Sequence, residues 1–116
     1  MEFNYHNRTF VGIINTENGE VSSDTKFYYK QNGNIVWAIY EGGSIVFGTL
    51  IAKVLSDGRL DMRYQHLNEE GKFLTGKCVS TPEVLTDGRY RLHELWQWTC
   101  GDFSEGSSIV EEIKNR

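Results

Sequence analysis

The chain has 116 residues, 39% hydrophobic and 13% aromatic, which supports one globular core and argues against disorder or a second domain. Its formal net charge of −4, with 12 basic residues interleaved among 16 acidic ones, lacks the basic footprint that nucleic acid or an anionic membrane surface needs. No apolar run approaches the roughly 20 residues that span a bilayer, and the start Met1-Glu2-Phe3-Asn4-Tyr5-His6 lacks the basic and apolar stretches of a signal peptide, so a cytoplasmic protein is expected.

Twelve glycines, one proline and short apolar runs between turn signals predict many short antiparallel strands rather than βαβ units. In chain order these strands fall at residues 9–15, 25–31, 34–40, 44–55, 59–67, 72–84, 89–100 and 108–114. The last stays open, because Ser108 with Glu111 three residues on could instead cap a short helix.

The turns set the register. Leu55-Ser56-Asp57-Gly58-Arg59 and Leu85-Thr86-Asp87-Gly88-Arg89 share one pattern, and Asn68-Glu69-Glu70-Gly71-Lys72 resembles it. Each suits a three-residue loop with a left-handed glycine, which pairs Leu55 with Arg59, Asn68 with Lys72 and Leu85 with Arg89. Two-residue Asp-Gly turns would slip each pairing by one and exchange the faces. Only the three-residue choice gives one consistent inward face. Its rows read Val54–Leu60–Ser80–Glu94, Ala52–Met62–Cys78–Trp96, Leu50–Tyr64–Gly76–Trp98 and Gly48–His66–Leu74–Cys100. Outside, it sets Lys53 beside Asp61 and Glu83 beside Arg91, a sensible charge pairing on a wet surface.

Eight consecutive antiparallel strands with one apolar face close into an all-β, up-and-down barrel covering residues 1–116 as a single domain. The Asn32-Gly33, Asp57-Gly58 and Asp87-Gly88 turns share one end, which the N-terminal residues would help to close. Residues 16–24 and 101–107, the longest connections, share the other end, so that rim is the expected mouth.

Inside the barrel, Tyr64, Trp96 and Trp98 lie beside the inward glycines Gly48 and Gly76. That arrangement leaves either an aromatic-walled cavity or a core in which the glycines merely relieve strand coiling. His66, near the mouth, is a polar contact or proton donor to a ligand, or else a rim histidine touching water and backbone. Glu94 is a carboxyl on an apolar face, where desolvation raises its pKa. It is the candidate general acid or base, or it hydrogen-bonds Ser80 or Tyr90 and braces the floor. His66 and Glu94 lie three rows apart, roughly 20 Å at about 3.3 Å per residue, too far for a dyad or for a Cys–His–Glu triad. Cys78 and Cys100, two rows apart, are expected to be free thiols. With His6, His66 and His93 scattered, no metal or cofactor is expected. Asp61, Arg63, His93 and Gln97 come out on the solvated face. Ile45, Phe47 and Ile51 also point outward, joined by the strand holding Ile35, Trp37 and Ile39. Such a patch predicts a homodimer, unless the chain's own N-terminus covers it.

Three stretches carry a resemblance: Asp61-Met62-Arg63-Tyr64-Gln65-His66, Thr75-Gly76-Lys77-Cys78-Val79-Ser80-Thr81-Pro82-Glu83, and Arg91-Leu92-His93-Glu94-Leu95-Trp96-Gln97-Trp98-Thr99 with Gly101-Asp102. Through them the chain resembles a group of short, uncharacterised bacterial proteins of about this length, often called N-acetylglutamate synthases. An acetyl-CoA enzyme of the usual kind needs a glycine-rich pyrophosphate loop opening a helix, and the sequence supplies none. The architecture is similar to lipocalin-like and fatty-acid-binding-like barrels of the calycin kind. The first functional expectation is a binding module for an aromatic or apolar small molecule, contacted by Tyr64, His66, Ser80, Glu94, Trp96 and Trp98. The alternatives are a lumen enzyme using Glu94 as general acid or base, and a structural or regulatory homo-oligomer.

Overall fold

The computed structural model describes residues 2–113, and within them every regular element is a strand. The strands are β1 (Arg8–Asn15), β2 (Lys26–Asn32), β3 (Ile35–Gly42), β4 (Ile45–Val54), β5 (Leu60–Asn68), β6 (Phe73–Val84), β7 (Tyr90–Trp98) and β8 (Glu105–Glu112). Each pairs antiparallel with the next, and β8 returns to β1, so the sheet closes into a barrel without a free edge. The segment at 108–114 is therefore strand rather than helix over its described part; Lys114 lies outside the described residues.

The side-chain alternation explains why these segments are strands. Along β7, Tyr90, Leu92, Glu94, Trp96 and Trp98 are buried while Arg91, His93, Leu95 and Gln97 face outward. Each fully buried apolar side chain stabilises the barrel by about 1.5–3 kcal/mol relative to exposure.

The three-residue loops hold. Gly58, Gly71 and Gly88 have φ of 90°, 78° and 89°, and Leu55, Asn68 and Leu85 donate their N–H groups to the carbonyls of Arg59, Lys72 and Arg89. Val54, Leu60, Ser80 and Glu94 are ladder partners in turn, as are the next two rows. The fourth row runs Gly48–His66–Leu74, and Cys100 lies just past the last β6–β7 pair, its Sγ 3.4 Å from the Thr75 amide. On the outside, Lys53 reaches Asp61 at 4.0 Å and Arg91 reaches Glu83 at 3.9 Å. Cys78 and Cys100 are free.

Ile45 departs from the outward position expected of it. A bulge between Ile45 and Phe47 adds one residue to β4 against β5 and reverses parity at Val46. Ile45 turns inward at 2% exposure, while Val46 and Phe47 are both half exposed. The outer apolar stripe is thus Phe47 and Ile51 with Ile35, Trp37 and Ile39.

The N-terminal segment does not cover that stripe; it plugs the end with the tight turns. Tyr5 is fully buried and donates its hydroxyl to the Gly58 carbonyl at 2.7 Å. Phe3 and Tyr5 each meet the Tyr90 ring edge-on, at 5.6 and 5.8 Å between centroids. The floor is closed. Whatever enters the barrel enters at the opposite rim.

Candidate functional site

Toward that rim the lumen opens into a pocket. The cavity itself is about 40 Å³, and with the open space around its mouth about 470 Å³ is free of protein atoms. Tyr64 and His66 from β5 line it with Trp96, Trp98 and Glu94 from β7. Five of the six residues expected at a ligand site therefore share one cavity. Ser80 does not line it. This residue is fully buried beside Glu94, its ladder partner, and its Oγ forms no hydrogen bond of ordinary geometry.

The inward glycines make room in an unforeseen way. Tyr40 faces Gly48, Tyr64 faces Gly76 and Trp96 faces Gly106, each as a cross-strand ladder pair. In all three pairs atoms of the ring take the space a Cβ would occupy. The glycines are covered rather than empty. By accepting a ring against the wall, they keep large side chains from filling the centre. Trp96 and Trp98 then meet at 61° with centroids 5.4 Å apart, and Tyr64 meets Trp98 at 67° and 6.0 Å. These edge-to-face contacts are each worth about 0.5–1.5 kcal/mol beyond their buried area.

Glu94 sits deepest. Ser108 of β8, its ladder partner on the other side, donates a 3.1 Å hydrogen bond to Oε1. Burial lifts the Glu94 carboxyl to about 7; Ser108 and, less directly, Ser80 oppose that rise without cancelling it. Burial also pushes up the Tyr29, Tyr40, Tyr64 and Cys78 groups, with Glu94 adding to each. Cys78 is consequently a protonated thiol, unsuited to nucleophilic attack.

At the mouth, His66 is held on both ring nitrogens. Its Nδ1 lies 2.9 Å from the Tyr40 hydroxyl and its Nε2 lies 2.7 Å from Glu20 Oε1. Glu20 also accepts from Asn68 Nδ2 at 3.1 Å, and Trp98 Nε1 donates to the Asn18 carbonyl at 2.9 Å. The connection at 16–24, foreseen as one border of an open mouth, instead folds across it. Burial lowers the His66 pKa, and the hydrogen bond and charge of Glu20 pull the other way. His66 and Glu94 share no hydrogen bond, and Asp61, Arg63, His93 and Gln97 lie outside the lumen. Among the described residues no cluster of three His, Cys, Asp or Glu side chains is placed to hold a metal ion.

A profile whose description is "Avidin-like protein" matches residues 3–113, nearly the whole chain. The chain belongs to the avidin-like protein family. No curated protein matches it significantly. The avidin-like barrel is of the calycin type, so the likeness to lipocalins holds for the fold while the family is a different one. Neither the barrel nor the family lends support to the N-acetylglutamate synthase label.

Several residues of this avidin-like pocket escaped the reading of the sequence. Glu20 lies in a loop without periodicity, so nothing local aims it at His66. Ser108 follows a connection without a tight turn, which left the β8 register unanchored. Asn15, at the end of β1, also lines the cavity. Tyr40 had a usable signal: the turn after Asn32 sets the inward parity Val36, Ala38, Tyr40.

Proposed function

We propose that this avidin-like protein binds a small molecule with an apolar or aromatic body inside its barrel. Avidin-like barrels take small ligands such as biotin. The observation that carries the reading is the corner of Tyr64, Trp96 and Trp98, which lines a cavity with a buried carboxyl at its inner end. Apolar walls supply the driving force, and a few polar groups orient the guest. His66 and the loop at 16–24 act as the gate. Native mass spectrometry of the purified protein, followed by tryptophan fluorescence titration with a panel that includes biotin, tests this. A retained small molecule or a saturable spectral change supports it. Lack of any response across the panel, with no retained mass, removes it.

A second reading rests on the raised pKa of Glu94, which suits a general acid or base near neutral pH. It requires turnover of a lumen ligand that Glu94→Gln abolishes while binding persists. For assembly, we infer a homodimer through the outer stripe of Phe47, Ile51, Ile35, Trp37 and Ile39, all of which are exposed. Sedimentation should give a dimer that Ile51→Lys dissociates. A wild-type monomer at working concentration rules it out.

A further inference from the structure

We propose, building on the lumen reading above, that the guest is an organic ammonium ion: a protonated amine on an apolar body, with its nitrogen directed at Glu94. Three independent features of the cavity point to a cation.

The first is an unmatched charge. Glu94 lines the cavity, and no lysine or arginine lines it with Glu94. The titratable groups facing Glu94 are Tyr29, Tyr40, Tyr64 and Cys78, all held in their neutral forms by burial and by Glu94 itself. His66 is engaged by Tyr40 and Glu20 at the mouth. A buried carboxylate without a counter-ion is costly, and a cationic guest repays that cost.

The second is a free acceptor in the cavity wall. Trp98 Nε1–H, the Ser108 hydroxyl and the Tyr40 hydroxyl are already spent on protein partners. Asn15 Nδ2 donates to the Val21 carbonyl at 3.0 Å, which leaves its Oδ1 as the free end of the amide. Among the described residues that line the cavity, the buried side-chain polar atom without a partner is an oxygen, Asn15 Oδ1. Asn15 shares the cavity with Glu94. An ammonium group is a donor that the free Asn15 Oδ1 can accept from beside Glu94.

The third is the aromatic wall. Tyr64, Trp96 and Trp98 meet at steep angles around the cavity, the arrangement by which ring faces hold ammonium groups. A neutral guest would use the rings but leave Glu94 unmatched. An anionic group placed beside Glu94 would be repelled.

The test uses three probes of similar size: benzylamine, benzyl alcohol and benzoate, titrated at pH 8 with tryptophan emission as the readout. Benzylamine should bind at least ~10-fold more tightly than benzyl alcohol, with benzoate weakest. In Glu94→Gln, which keeps the shape and loses the charge, that preference should collapse to about twofold or less. If the variant does not fold, the wild-type ranking alone decides. Benzyl alcohol or benzoate binding as well as benzylamine overturns the ammonium proposal, as does an undiminished preference in Glu94→Gln. Either result leaves the lumen reading standing. No binding of any probe, together with no retained small molecule, overturns both.

Discussion

His66 Nε2 lies 2.7 Å from Glu20 Oε1, joining a strand residue to a loop residue 46 positions earlier across the mouth of the barrel. With Tyr40 donating to Nδ1, the neutral ring carries its proton on Nε2 and gives it to Glu20, and every partner is satisfied. Acid adds a second ring proton that points at the Tyr40 oxygen, whose own proton then goes to the Gln65 carbonyl 3.2 Å away. Removing the Glu20 charge withdraws the one influence that holds the His66 pKa up against burial. Glu20→Gln should therefore move the His66 titration, followed by NMR of the ring protons, to lower pH. An unchanged midpoint would mean that the contact does not persist in solution.

Glu94 gives a pH dependence of stability with a definite sign. Its native carboxyl titrates near 7 against an ordinary value of 4.5. Between those two values the folded state holds a proton that the unfolded chain has lost. The contribution of this group is thus complete below 4.5 and is lost as the pH rises through 7, an effect of about 3 kcal/mol. Paired carboxylates elsewhere act oppositely at low pH, so the informative quantity is a difference between proteins. Relative to wild type, Glu94→Gln should gain roughly 2–3 kcal/mol between pH 4 and pH 8 by urea denaturation. Parallel pH profiles would show that the carboxyl is not desolvated.

Gly88 and Gly58 share a backbone conformation but differ in surroundings. A methyl group at Gly88 meets nothing, whereas at Gly58 it collides with the Phe3 ring that helps to plug the floor. Gly88→Ala should cost only the left-handed backbone penalty, about 1–2 kcal/mol. Gly58→Ala should cost clearly more and loosen the N-terminal segment, seen as faster amide exchange at Tyr5. Equal losses would mean that Phe3 does not seat on the turn.

Gly76 holds the wall position on which the Tyr64 ring lies. Gly76→Ala should drive that ring into the lumen at a cost of about 1–3 kcal/mol. Binding of any lumen ligand should weaken by at least ~10-fold while the far-ultraviolet dichroism stays that of a barrel. Wild-type affinity in this variant would show that the ligand sits elsewhere.

Trp98 packs against Tyr64, His66 and Trp96 and ties the loop at 16–24 through Asn18. Trp98→Ala should destabilise by about 3–5 kcal/mol and also free the loop, making it more sensitive to proteolysis. Loss of stability with an unaltered cleavage pattern would confine Trp98 to a packing role.

The parity of the barrel was legible from the chain because it is a local property. Strand side chains alternate with period two, and the left-handed glycines at 58, 71 and 88 fix where each alternation restarts. That is enough to put Glu94, Trp96 and Trp98 indoors and to find five of the cavity residues. Tertiary structure decided the rest, because contacts across a lumen have no local code. The bulge that turns Ile45 inward serves closure of the whole sheet. The seating of Tyr40, Tyr64 and Trp96 on glycines depends on neighbours one strand away. The Glu20–His66 contact depends on how a loop without periodicity falls across a rim that exists only once eight strands have closed.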